Sequence, residues 1–110
     1  MKKEILYDDW MNQELQDPKL AIAYLNEALK DEDERMFLIA FKKVLKAFGD
    51  QDITSLAKEV NLTRSNLYRI FSEKGNPRWN SLKPIVEKLG MQIQLTFKDD
   101  MVSKNSKKTK

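Results

Sequence analysis

Ile53-Thr54-Ser55-Leu56-Ala57-Lys58-Glu59-Val60-Asn61-Leu62-Thr63-Arg64-Ser65-Asn66-Leu67-Tyr68-Arg69-Ile70-Phe71 reads as two short helices with a tight turn between them. Leu56, Val60, Leu67 and Ile70 recur at helical spacing and can meet in one small core. Ala57 is small where the helices must approach closely. Asn61 falls where the first helix stops, and Asn tolerates a left-handed backbone better than most residues. Leu62 anchors the turn from below. Thr63 can cap the second helix by accepting from a free backbone N–H.

Two helices joined this way, the second polar on its open face, form the layout of a helix-turn-helix. In that layout the second helix enters the major groove of DNA and its first turn reaches base edges. Arg64 and Arg69 then suit guanine or phosphate, Asn66 suits adenine, Ser65 a base edge or phosphate, and Tyr68 a thymine methyl or phosphate. Thr63, Asn76 and Arg78 would fix register on the backbone. Leu67, Ile70 and Phe71 are expected in the core, and Trp79 is expected to pack rather than to insert as a wedge.

The rest of the chain reads as further helices. Glu4–Tyr7 reads as an extended piece, followed by a short helix from about Asp8 to Gln16 with Trp10, Met11 and Leu15 on one side. Asp17-Pro18 is a helix start, since Asp caps and Pro occupies the first turn without cost. The helix that follows, to about Lys30, is expected to bury Ala21, Ile22, Leu25, Ala28 and Leu29. Asp31–Glu34 places carboxylates near the positive end of the next helix dipole. That helix carries Phe37, Leu38, Phe41, Val44, Leu45 and Phe48, and Gly49 ends it. Lys42, Lys43 and Lys46 read as its outer face.

After the loop Ser72–Pro77, a last helix from about Trp79 to Leu89 buries Leu82, Ile85, Val86 and Leu89, and Gly90 stops it. Pro84 implies either that Asn80 is the cap or that the helix bends. Met91–Phe97 alternates apolar and polar residues, the pattern of a strand with one buried face. A lone strand needs a neighbour. The same strand of a second copy is favoured over an edge strand of another protein or Glu4–Tyr7, which assigns dimerisation to Met91, Ile93, Leu95 and Phe97. The fold class expected is therefore all-α: a lambda-repressor-like helix-turn-helix bundle with extra N-terminal helices and one C-terminal β-strand. It forms one domain over 1–97, with an N-terminal extension (1–32), a DNA-binding core (33–90) and the strand (91–97). Residues 98–110, Lys-rich and aperiodic, read as a disordered basic tail.

Composition narrows the function. The chain has 110 residues, of which 34% are charged, and it contains neither cysteine nor histidine. Zinc sites, disulfides and histidine acid–base chemistry are therefore excluded. The acidic runs Asp8-Asp9, Asp31–Glu34 and Asp99-Asp100 show no recurring metal-ligand spacing. No cofactor, metal or enzymatic activity is expected. No apolar signal segment or membrane-length run is seen, which points to the cytoplasm. Residues 1–35 carry a balance of −5 and residues 36–110 a balance of +8, summing to +3. The basic part suits a polyanion and the acidic part a basic protein.

Leu56–Tyr68, followed by Gly75-Asn76-Pro77 and Leu82…Leu89-Gly90, resembles the Cro/C1-type (XRE) helix-turn-helix domain. With the leading stretch Ile22-Ala23-Tyr24-Leu25-Asn26-Glu27-Ala28-Leu29, it looks most like the small antitoxins known as probable addiction module antidote proteins. The likeness covers about Leu20 to Phe97. The chain departs from the usual pattern at Asn61 (commonly Gly), Arg78 (commonly Ser or Thr), Trp79 (commonly aliphatic) and Pro84. The resemblance implies an antitoxin and transcriptional repressor of a toxin–antitoxin operon; pairing through the strand makes it a homodimer with two recognition helices on a near-palindromic operator. Its partners would be operator DNA and a small RelE-type toxin that cuts messenger RNA. Other classes compatible with the residues are a stand-alone phage- or plasmid-type repressor and an interaction module that never meets DNA.

Overall fold

The structure, a computed structural model, describes residues 2–72 and 74–98. Among them lie six α-helices: α1 (Lys2–Leu15), α2 (Pro18–Leu29), α3 (Arg35–Ala47), α4 (Asp50–Glu59), α5 (Arg64–Ile70) and α6 (Trp79–Lys88). None is long and apolar enough to cross a membrane. The expected tail, 98–110, lies outside the described residues except for Lys98.

Local chemistry sets most helix boundaries. Asp17 caps α2, its carboxylate accepting from the Lys19 amide at 2.9 Å, with Pro18 as the first helical residue. The approach to α3 is a pair of Asx turns. Asp31 accepts from the Asp33 amide at 2.8 Å, and Asp33 accepts from the Arg35 amide at 3.0 Å. The Arg35 guanidinium folds back onto the same carboxylate at 2.8 Å. Its hydrogen bond holds Asp33 below the usual carboxylate range. Gly49 and Gly90, at φ +90° and +86°, follow the caps of α3 and α6.

α3 is the hub and packs against α1, α2 and α4. Its apolar stripe Ala40, Phe41, Val44, Leu45 is buried, and one core joins it to Leu15, Ala21, Leu25, Ile53, Leu56, Ala57, Leu67, Phe71, Ile85 and Val86. Each fully buried large side chain here stabilises the fold by about 1.5–3 kcal/mol. Phe41 joins two helices through aromatic stacking: its ring lies 4.4 Å from that of Phe71, tilted 15°.

Two expectations are corrected, and one open alternative is decided. First, there is no extended piece at Glu4–Tyr7, since α1 runs unbroken from Lys2 to Leu15. Second, the C-terminal β-strand is absent. Met91 to Lys98 has no regular secondary structure, and no strand occurs among the described residues. Period-two alternation states which side chains share a face, but a strand exists only through hydrogen bonds to a neighbour. The intramolecular candidate is helical. The all-α class itself holds. Of the two alternatives left open by Pro84, the Asn80 cap is not the one formed. The cap is Arg78, whose carbonyl accepts from the amides of Ser81 (2.9 Å) and Leu82 (2.8 Å), and Pro84 sits inside the helix. Some positions expected to pack are exposed: Leu29 at 60%, Trp79 at 58%, and Ile22.

Candidate nucleic-acid interface

The turn between α4 and α5 is built by backbone hydrogen bonds. The Leu62 amide donates to the Ala57 carbonyl at 2.8 Å and the Asn61 amide to the Lys58 carbonyl at 3.1 Å. This six-to-one plus five-to-two pattern closes a helix and requires a left-handed residue between. Asn61 supplies it, with φ +62°, a conformation that costs most L-residues about 1–2 kcal/mol. Leu62 packs partly buried against the core. Thr63 then turns extended (φ −87°, ψ 161°), and its Oγ1 accepts from the Asn66 amide at 3.1 Å. The cap foreseen at Thr63 is therefore formed.

α5 has two faces. Leu67 and Phe71 are fully buried and Ile70 half-buried. Arg64, Ser65 and Arg69 are exposed, and Asn66 and Tyr68 half-buried. One contact on this surface was not legible from spacing alone. The Arg69 Nη2 donates to the Asn66 Oδ1 at 2.8 Å. Arg69 thus orients the Asn66 amide before any ligand arrives. Residues three apart on a helix are neighbours, so the spacing permitted the pair without demanding it.

Thr63 to Arg69 are brought together on one short helix. Asn76 and Arg78, both exposed, stand in the following loop and at the cap of α6. That loop is pinned at Gly75. Its amide donates to the Ser72 carbonyl at 2.8 Å, and its Cα faces the Ile70 carbonyl so closely that a side chain would collide with it. The far end of α6 is tied to α4 by an ion pair, Lys88 to Glu59 at 3.5 Å.

The apolar residues assigned to dimerisation separate into two groups. Met91 packs partly buried against the core. Ile93, Leu95 and Phe97 are exposed, Leu95 at 92%. Ile93 and Leu95 join Ile22, Leu29 and Trp79 along an open, mainly apolar groove of about 360 Å³.

Comparison with known proteins identifies the lineage. The family described as probable addiction module antidote protein matches residues 7–97. An uncharacterized protein of Haemophilus influenzae is 26% identical over 72 residues, 66% of this chain and 71% of its own length. No solved structure matches the chain. The matched span takes in the capped α4–α5 pair, the Gly75-Asn76-Pro77 loop and the apolar positions up to Phe97. On that span, the chain belongs to the family of probable addiction module antidote proteins.

Proposed function

We propose that the chain is the antidote of a toxin–antitoxin pair and represses its own operon by binding operator DNA through α5. Membership of an antidote family points to a regulator with a toxin partner, rather than to a catalyst. The observation that carries the DNA-binding part is the outward row of α5. Arg64, Ser65, Asn66 and Arg69 stand above a capped helix start, with Leu67 and Phe71 anchoring the opposite side. A helix held this way can lie in a major groove with its first turn toward the base edges.

In this reading Arg64 contacts guanine or a phosphate. Asn66 contacts adenine, its amide pre-set by Arg69. Fixing both side chains in the free protein lowers the ordering cost of binding. Ser65 and Tyr68 flank them, and Thr63, Asn76 and Arg78 hold the sugar–phosphate backbone. Arg64→Ala is expected to weaken operator binding by about 1–3 kcal/mol, or roughly 5- to 150-fold, and to relax specificity at one base pair. Mobility shifts on the gene's own promoter and on scrambled duplexes check this. Equal binding by wild type and variant would remove Arg64 from the readout.

Two copies would present two α5 helices to half-sites about 34–36 Å apart, or a multiple of that. Met91, Ile93, Leu95 and Phe97 are proposed to bury against the second copy, because three of them are otherwise open to water. The toxin is proposed to be a small basic RelE-type ribonuclease drawn to the acidic N-terminal residues. Sedimentation of wild type and Leu95→Glu, each co-expressed with the adjacent open reading frame, tests both points. A wild-type dimer that carries the neighbour, and a Leu95→Glu monomer that still carries it, are expected. A wild-type monomer would remove the dimer, and a neighbour that does not co-purify would remove the toxin.

A further inference from the structure

Beside the recognition surface, α3 carries a second basic feature. Ile39, Lys42, Lys43 and Lys46 follow the i, i+3, i+4, i+7 spacing of one helix stripe. With Phe71 and Ser72 they line a shallow cleft of about 290 Å³. Ile39, half-buried, and Phe71, fully buried, supply the apolar part. The three lysines and the Ser72 hydroxyl supply the polar part. Lysine stems can lie along such a floor while their ammonium groups reach water.

The charges in this cleft have no counterpart within the described residues. Lys30, Arg35, Lys83 and Lys88 each reach a carboxylate there, whereas none of the three cleft lysines does. Lys46 lies in the last turn of α3, where the helix dipole favours a cation. Lys42 and Lys43 sit further back, and like charges at this spacing disfavour the helix. The position of the cleft is as telling as its charge. Ser72 stands just past Phe71, the C-cap of α5, and its amide donates to the Arg69 carbonyl at 3.1 Å. The cleft therefore abuts the C-terminal end of α5, through Phe71 and Ser72.

We propose that Lys42, Lys43, Lys46 and Ser72 form a shoulder that binds backbone phosphates of the same duplex α5 reads. This rests on the DNA-binding reading above. Ammonium and hydroxyl donors match phosphate oxygens, and carry no base information. Lys42 and Lys46 are about 6 Å apart along the helix axis, comparable with one to two phosphate steps at 3.4 Å of axial rise per strand. An acidic protein surface would share the charge, but the cleft's junction with the end of α5 favours DNA.

The test uses the full chain and fluorescence anisotropy across a salt series, on operator and scrambled duplexes. The triple variant K42Q/K43Q/K46Q is compared with K19Q/K30Q/K83Q, which removes equal charge from α2 and α6. Each lost phosphate contact lowers the slope of log K against log salt by about 0.9. The cleft variant is therefore expected to lose roughly 2–3 from the slope. It should bind both duplexes at least about tenfold more weakly, keep the operator-to-scrambled ratio and retain its circular dichroism. The control should lose less than about 1. Should the triple fail to fold, Lys43→Gln alone should lower the slope by about 0.9. Wild-type operator binding with equal slope losses in both triples, or none in either, overturns the shoulder and leaves the α5 reading standing. A wild type that binds no DNA overturns both. Loss of a co-expressed protein with an unchanged DNA slope assigns the patch to an acidic protein surface and overturns the proposal.

Discussion

Phe71→Ala is expected to destabilise the fold by about 3–5 kcal/mol, the range for truncating a fully buried aromatic. Phe71 is fully buried and stacks on Phe41 at 4.4 Å. Phe41 in turn meets Phe37, with ring centroids 5.6 Å apart. The ring therefore closes the junction between the end of α5 and the hub helix α3, and alanine would leave a cavity there. Domains of this size are stable by only about 5–15 kcal/mol in total, so a large share of the folding free energy is at stake. Urea denaturation followed by circular dichroism measures the loss directly. Phe71→Leu, which keeps most of the volume, should cost much less. A change below about 1 kcal/mol in the alanine variant would show that the α3–α5 junction is not held by this stack. Because Phe71 anchors α5 from behind, reduced DNA affinity should accompany the loss of stability, with no preference for particular base pairs.

Gly75→Ala is the second large effect, expected at about 1–3 kcal/mol from overpacking. A methyl group there would collide with the Ile70 carbonyl oxygen. It would also stand 2.6 Å from the Ile70 carbonyl carbon and 2.9 Å from the Arg69 carbonyl oxygen. These are backbone atoms at the end of α5, so no rotamer change relieves the clash, and the loop must move. That displacement would carry Asn76 and Arg78 with it. Asn76→Ala, an exposed substitution, should stay within about 0.5 kcal/mol of wild type. Thermal melts of the two variants separate the mechanisms. A Gly75→Ala protein as stable as Asn76→Ala would show that the loop can reseat without cost.

What could be read before any coordinates were local. Asn61 adopts the left-handed turn, Thr63 and Asp17 form caps, and Gly49 and Gly90 follow helix ends. Each depends on a residue's own backbone preference and on hydrogen bonds spanning a few positions, so its signal is complete within a short window. The inward faces of α3, α4 and α5 were equally legible, because a helix must bury its apolar stripe.

What remained hidden depends on partners distant in sequence. Alternation at Met91–Phe97 indicated a shared face, but pairing with a neighbour decides whether that becomes a strand. Glu4–Tyr7 read as extended, yet it belongs to a helix whose C-terminal end, Leu15, is buried in the core. Periodicity ranked Ile22 and Leu29 with Leu25, but only Leu25 is buried. The close approach of Gly75 to the end of α5 is set by how the Ser72–Pro77 loop packs, and Lys42, Lys43 and Lys46, which read as an outer face, share a cleft with Ser72. The amino-acid order by itself determined where helices start, stop and turn inward, since those choices are made by near neighbours. Tertiary packing alone decided which surfaces are covered and which charges share a cleft, because that requires segments far apart in the chain to meet.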